Sequence, residues 1–315
     1  MDSQREVRPE VQERETNDAS RHFPMTQTSS GEVGSRTSTR TRGSLSSRVR
    51  ARTIAWLSSL TLGAACVLGV VSFAFPFLSP PDGAEQGGMT LGAMSHATDA
   101  PLLLILMIVL CLGAILSNLQ GKAMNSKTVA VLGILTAINA ALRAIPGPAG
   151  FAAVFMLPVL CGYTYGASFG FLLGALSLLV SALLGAGVGP WLPFQMFATG
   201  WVGMSSAWLP KMRRWPRGEV VLLAIWGVVW GLLFGAIMNI WFWPYVYQPH
   251  DSGIYWQPGT AFLESLRRYV LFYATTSLWW DLGRAGGNFA LLILFGSPLL
   301  RLLRRFGRRL QFEMT

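Results

Sequence analysis

The stretch "WWDLGRAGGNF", Trp279 to Phe289, puts an acid, a base and an amide on one helical face. Asp281, Arg284 and Asn288 stand at i, i+3 and i+7. The run behind them, "ALLILFGSPLL", is apolar enough to enter a bilayer. Ionisable and amide groups are costly there, so such a face is either part of a polar cavity or an ion pair held at the headgroups. Three other side chains extend the set. Gln195 enters an apolar run after the turn "GAGVGPWLPFQ", close to Trp191. Asn239 ends a glycine-marked face and is followed by "WFWPYVYQP", which contains Trp243. Arg143 lies three residues before Pro146. It either snorkels to the interface or turns into the same cavity as Asp281. For Asn239 and Asn288 the alternative to a ligand is a hydrogen bond between helices.

These groups bind more readily than they catalyse. His22 lies in a polar tail, and His96 and His250 lie between apolar runs, so no run holds a histidine. HExxH and the phosphate loop GxxxxGK[ST] are absent, and no run contains a carboxylate pair. Cys66, Cys111 and Cys161 sit in apolar stretches without CxxC spacing and read as small buried hydrophobes. No enzyme, metal site or cofactor is expected.

The elements that must position the polar groups are membrane helices. Charged residues make up 13% and hydrophobic residues 52%, with a mean hydropathy of +0.43; a soluble domain carries about a quarter charged residues. Apolar runs occur at 53–78, 100–119, 128–146, 150–165, 167–187, 191–209, 219–243 and 282–303, which makes eight candidate spans. Short alternating segments, the mark of a barrel, are missing. The net charge of +10 gathers at the ends of the runs, so it reports topology and not nucleic acid. Lys122 and Lys127, "KMRRWPRGE" and "RLLRRFGRR" make every second connection basic except the neutral turn "YTYGAS", which places both termini in the cytoplasm. Arg267 and Arg268 run against that pattern. Residues 265–303 as one helix would reach roughly 58 Å, against a hydrocarbon core of about 30 Å. Residues 265–280 therefore lie along the outer interface or fold back.

Small residues recur every fourth position in three runs: Gly133, Ala137 and Ala141; Gly166, Gly170 and Gly174; Gly227, Gly231 and Gly235. Such stripes let backbones approach closely. Each packs inside the bundle or, if it faces outward, serves a partner.

The expected organisation is a disordered basic cytoplasmic tail (1–52), two extra transmembrane helices with an outer loop (53–125), a six-span membrane block (126–306) and a short C-terminal tail (307–315). The whole is an all-α membrane protein.

The six-span block resembles the substrate-binding S components of energy-coupling factor (ECF) transporters. The resemblance rests on "LTAINAALRAIPG", on "GYTYGASFGFLLGALSLLVSALLGAGVGPWLPFQMFATGWVG" and on "WDLGRAGGNFALLILFGSPLLRLLRRF". It implies a six-helix bundle that captures a vitamin or related micronutrient from outside, partnered by a transmembrane coupling subunit and two cytoplasmic ATPases. It implies that Gly133, Ala137 and Ala141 meet the coupling subunit, and that the turns "IPGPAG" and "GAGVGPW" act as lids. Trp191, Gln195, Asn239, Trp243, Asp281, Arg284, Asn288 and Arg143 are the candidate substrate-binding residues. Family likeness favours cobalamin or a related corrinoid, with riboflavin and thiamine precursors open. The alternatives are a stand-alone secondary carrier, which would usually show an inverted repeat, and a membrane-embedded enzyme.

Overall fold

A computed structural model describes residues 39–78, 99–120, 124, 126–145, 147, 151–246 and 253–312. The expectations for residues 1–38, for the loop over 80–98 and for 247–252 lie outside them. The chain divides into two units, Met1–Ser44 and Leu45–Thr315, and the second holds the bundle.

The described residues form α-helices without strands. They are α1 Thr39–Leu78, α2 Ala100–Gln120, α3 Ser126–Ala144, α4 Met156–Tyr165, α5 Ala167–Ser181, α6 Leu192–Ser206, α7 Pro216–Phe242, α8 Phe262–Thr276 and α9 Leu278–Phe312. The first helix begins at Thr39 and so reaches back into the segment expected to be tail. Within its described side chains, Ser59–Leu78 is long and apolar enough to cross a membrane.

Among the described residues six helices are long and apolar enough to cross a membrane, not eight. The fourth and sixth runs fall short. α4 has 10 residues and α6 has 15, so they rise only about 15 and 22 Å. Both are buried among their neighbours instead: Val159, Leu160 and Cys161 of α4, and Phe194, Met196 and Phe197 of α6, are fully enclosed. An apolar run buried by protein on every side has the same composition as one buried by lipid, and this is why the two were counted as spans.

Glycines set the helix contacts. A Cβ at Gly170 or Gly174 of α5 would strike the backbone of Gly203 or Thr199 on α6. Gly166 instead makes the turn between α4 and α5 at φ +104°. On α7, a Cβ at Gly227 would meet Leu292, one at Gly231 would meet Ala285, and one at Gly235 would overlap the Asp281 carboxylate, all on α9. Both stripes therefore pack within the bundle. The α3 stripe does not. Gly133, Ala137 and Ala141 are exposed, while Leu132, Thr136, Asn139 and Ala140 face inward.

The two extra helices lean on α6. Phe73 of α1 meets Phe194 edge-on with ring centroids 5.1 Å apart, and Gly69 lets α1 approach Phe197 and Trp201. α8 and α9 are separate helices broken at Ser277, where φ is −120°. α8 is amphipathic: Phe272 is buried with Trp243, Val246 and Tyr255, while Phe262, Leu263 and Leu266 are exposed. Arg267 and Arg268, which ran against the charge pattern, both pair with Glu264, at 3.5 and 3.0 Å. The hydrogen bond from Arg268 holds the Glu264 carboxyl below the ordinary carboxylate range.

Candidate functional site

Side chains from five helices converge at one end of the bundle. Arg143 is in the last turn of α3, Leu178 near the end of α5, Gln195 in the first turn of α6, Phe234 in the second half of α7 and Arg284 in the second turn of α9. They line a cavity of about 280 Å³. Ala152, Val154 and Phe155, just before α4, close one side, and Ala186 closes another. Gly185 and Gly187 carry positive φ of 116° and 90°, which lets the chain leave α5 and double back into α6.

Arg143 does not snorkel. Its guanidinium turns inward and donates to Ser181 Oγ at 3.1 Å and to Gln195 Oε1 at 3.0 Å. Both acceptors are neutral, and among the described residues Arg143 forms no ion pair. Arg284 differs. It pairs with Asp281, lies 5.1 Å from the centre of the Phe234 ring and reaches the Gly231 carbonyl at 3.4 Å. Asp281 is 2% exposed and stands behind Arg284 against Gly235. The pair is therefore packed between α7 and α9.

Of the eight residues singled out from the sequence, Arg143, Gln195 and Arg284 line the cavity. Asp281 reaches it only through Arg284. Asn288 is fully buried, and its Nδ2 donates to the Arg284 carbonyl at 2.9 Å on its own helix. Asn239 and the Ser277 hydroxyl exchange hydrogen bonds of 2.8 and 2.9 Å, which tie α7 to the α8–α9 break. Trp243 donates to the Ile254 carbonyl at 2.9 Å and belongs to the separate cluster around Phe272. Trp191 packs against the main core and sits over Gly189.

Other cavity residues escaped notice. Thr199 is fully buried on α6, lines the cavity and leaves its Oγ1 without a partner. Phe155 and Phe234 form an aromatic wall with centroids 5.0 Å apart. Asn139, also fully buried, donates to the Val154 carbonyl at 3.0 Å and so fastens the segment before α4 over the cavity. The sequence did not flag Thr199, because a threonine in an apolar helix ordinarily bonds its own helix backbone.

The opposite end of the bundle carries a different cluster. Glu219 of α7 is 1% exposed and accepts from Tyr163 of α4 at 2.5 Å and from Arg304 of α9 at 2.6 Å. Lys211 lies over the Tyr163 ring and donates to the Tyr163 carbonyl. This cluster joins α4, α7 and α9 where the basic residues gather.

A family model described as "ECF transporter, substrate-specific component" matches residues 127–295, the segment from α3 into α9 that encloses the cavity. No curated protein and no solved structure matches the chain.

Proposed function

The chain belongs to the family of ECF transporter substrate-specific components, and from that premise we propose that it captures a compact vitamin or related micronutrient in the cavity between α3, α5, α6, α7 and α9. The observation that carries this reading is the cavity itself. It lies wholly within the matched segment and combines an aromatic wall with a few convergent polar groups, the usual make-up of a small-molecule site. Arg143, Gln195 and Arg284 are the proposed contacts, with Asp281 positioning Arg284. At about 280 Å³ the cavity stands at the lower end of the roughly 300–1,000 Å³ common for ligand pockets. That size favours a compact vitamin over a corrinoid.

The cavity end is proposed to face outward. Lys211, Arg213, Arg214, Arg301, Arg304 and Arg305 all lie toward the other end, where the positive-inside rule puts the cytoplasm. Both termini are then cytoplasmic. Import would depend on a coupling subunit and ATPases, and the exposed Gly133, Ala137 and Ala141 face is the proposed contact with that coupling subunit. The test is uptake of radiolabelled vitamins in cells expressing the chain with and without its coupling and ATPase subunits. Uptake that needs the ATPases is expected. Uptake at full rate without them would make the chain a stand-alone carrier.

A further inference from the structure

The cavity does not balance its charge. Arg284 is neutralised by Asp281. Arg143 has only the neutral acceptors Ser181 and Gln195, and no carboxylate lines the cavity. Taken together, Arg143, Arg284 and Asp281 leave one positive charge. An unpaired guanidinium turned into an apolar bundle is expensive, and Ser181 and Gln195 engage only two of its N–H groups. A second cost sits beside it. Thr199 is fully buried, lines the same cavity and has an unpartnered hydroxyl. Both costs vanish if the occupant brings one negative charge and spare acceptor oxygens.

Building on the reading of the cavity as the capture site, we propose that its ligand is a small organic monocarboxylate. The carboxylate takes the free donors of Arg143 and the hydroxyl of Thr199, and the apolar body lies against Phe155 and Phe234. A carboxylate fits better than a phosphate ester. It accepts from a guanidinium fork through two oxygens and carries the single charge that the cavity lacks, whereas a phosphate ester carries nearly two. A cation such as thiamine would add to the unbalanced charge.

The test uses the full chain in nanodiscs, with ligand titration and melting. The probes are matched pairs, biotin with biotinamide, nicotinate with nicotinamide and pantothenate with panthenol, along with riboflavin and thiamine. At least one acid is expected to bind about tenfold or more tighter than its neutral counterpart. Arg143→Gln should weaken that acid by roughly ten- to a hundredfold. Thr199→Val keeps the side-chain shape. It should weaken the acid several-fold while the ligand-free melting temperature holds or rises, because the lost hydroxyl had no partner. If Arg143→Gln does not fold, Thr199→Val still decides. Equal binding of acid and neutral partner, or preferred binding of riboflavin or thiamine, overturns the monocarboxylate and leaves vitamin capture standing. Binding of none of the probes overturns both.

Discussion

Asp281 and Arg284 are three residues apart on α9, yet they meet different surroundings. Asp281 is enclosed against Gly235, while Arg284 reaches the cavity and the Phe234 ring. Asp281→Asn removes the charge that balances a partly buried guanidinium. It should lower stability on the order of 3 kcal/mol, read as a lower melting temperature without ligand. Affinity for an anionic ligand should hold or rise, since the variant adds net positive charge at the cavity. A variant that melts like the parent would return the pair to the headgroup layer. Asn288→Leu separates an interior role from a ligand role. Asn288 lies off the cavity, bonds its own helix and leaves Oδ1 unpartnered. Replacing it removes one hydrogen bond and one orphaned oxygen together, so stability should change by no more than about 1 kcal/mol and ligand affinity should not change. A tenfold loss of affinity in titration would bring Asn288 into the site.

At the scale of elements, three small-residue stripes with the same spacing have two destinies. Gly174 of α5 is pressed against the Thr199 backbone, so Gly174→Ala should cost about 1–3 kcal/mol through overpacking. It should also disturb the cavity, because Thr199 lines it. Gly133 of α3 has nothing within 4 Å of an added Cβ. Gly133→Leu should therefore leave the melting temperature unchanged, or raise it slightly through helix propensity. The coupling-subunit proposal adds that Gly133→Leu and Ala137→Trp should block co-purification of the chain with that subunit while ligand binding persists. Normal co-purification by both variants would assign the outward face of α3 to lipid.

The orientation of the whole molecule is testable from the two ends of the bundle. Gly253 is exposed beyond α7 toward the cavity end, and Arg214 is exposed between α6 and α7 at the other. In a background with Cys66 replaced by alanine, a cysteine at 253 should react with an impermeant thiol reagent in intact cells. A cysteine at 214 should react only after permeabilisation. The reverse pattern would turn the cavity toward the cytoplasm and end the capture proposal. Cys111 and Cys161 are buried and should stay silent in both.

The amino-acid sequence by itself determined the class of the protein. Long apolar runs, few charges and basic run ends leave helical membrane insertion as the means of burying the chain. The motifs of α3 to α9 carried the family resemblance, and Arg143, Gln195 and Arg284 stood out because polar groups are rare in such runs. Tertiary structure alone decided how these features combine. α4 and α6 are apolar because protein surrounds them, and composition does not distinguish protein from lipid as a neighbour. Equal spacing sent the glycines of α5 and α7 inward and the small residues of α3 outward, because the partner face and not the spacing sets the direction. Thr199 became a cavity residue only when α5, α6 and α7 met around it. Asp281, Asn239 and Asn288 were drawn into contacts between or within helices, since each had a backbone or side-chain partner within reach. The lack of an ion pair at Arg143 follows from the same cause: it is defined by which groups stand within a few ångströms, and its acceptors, Ser181 and Gln195, come from two other helices.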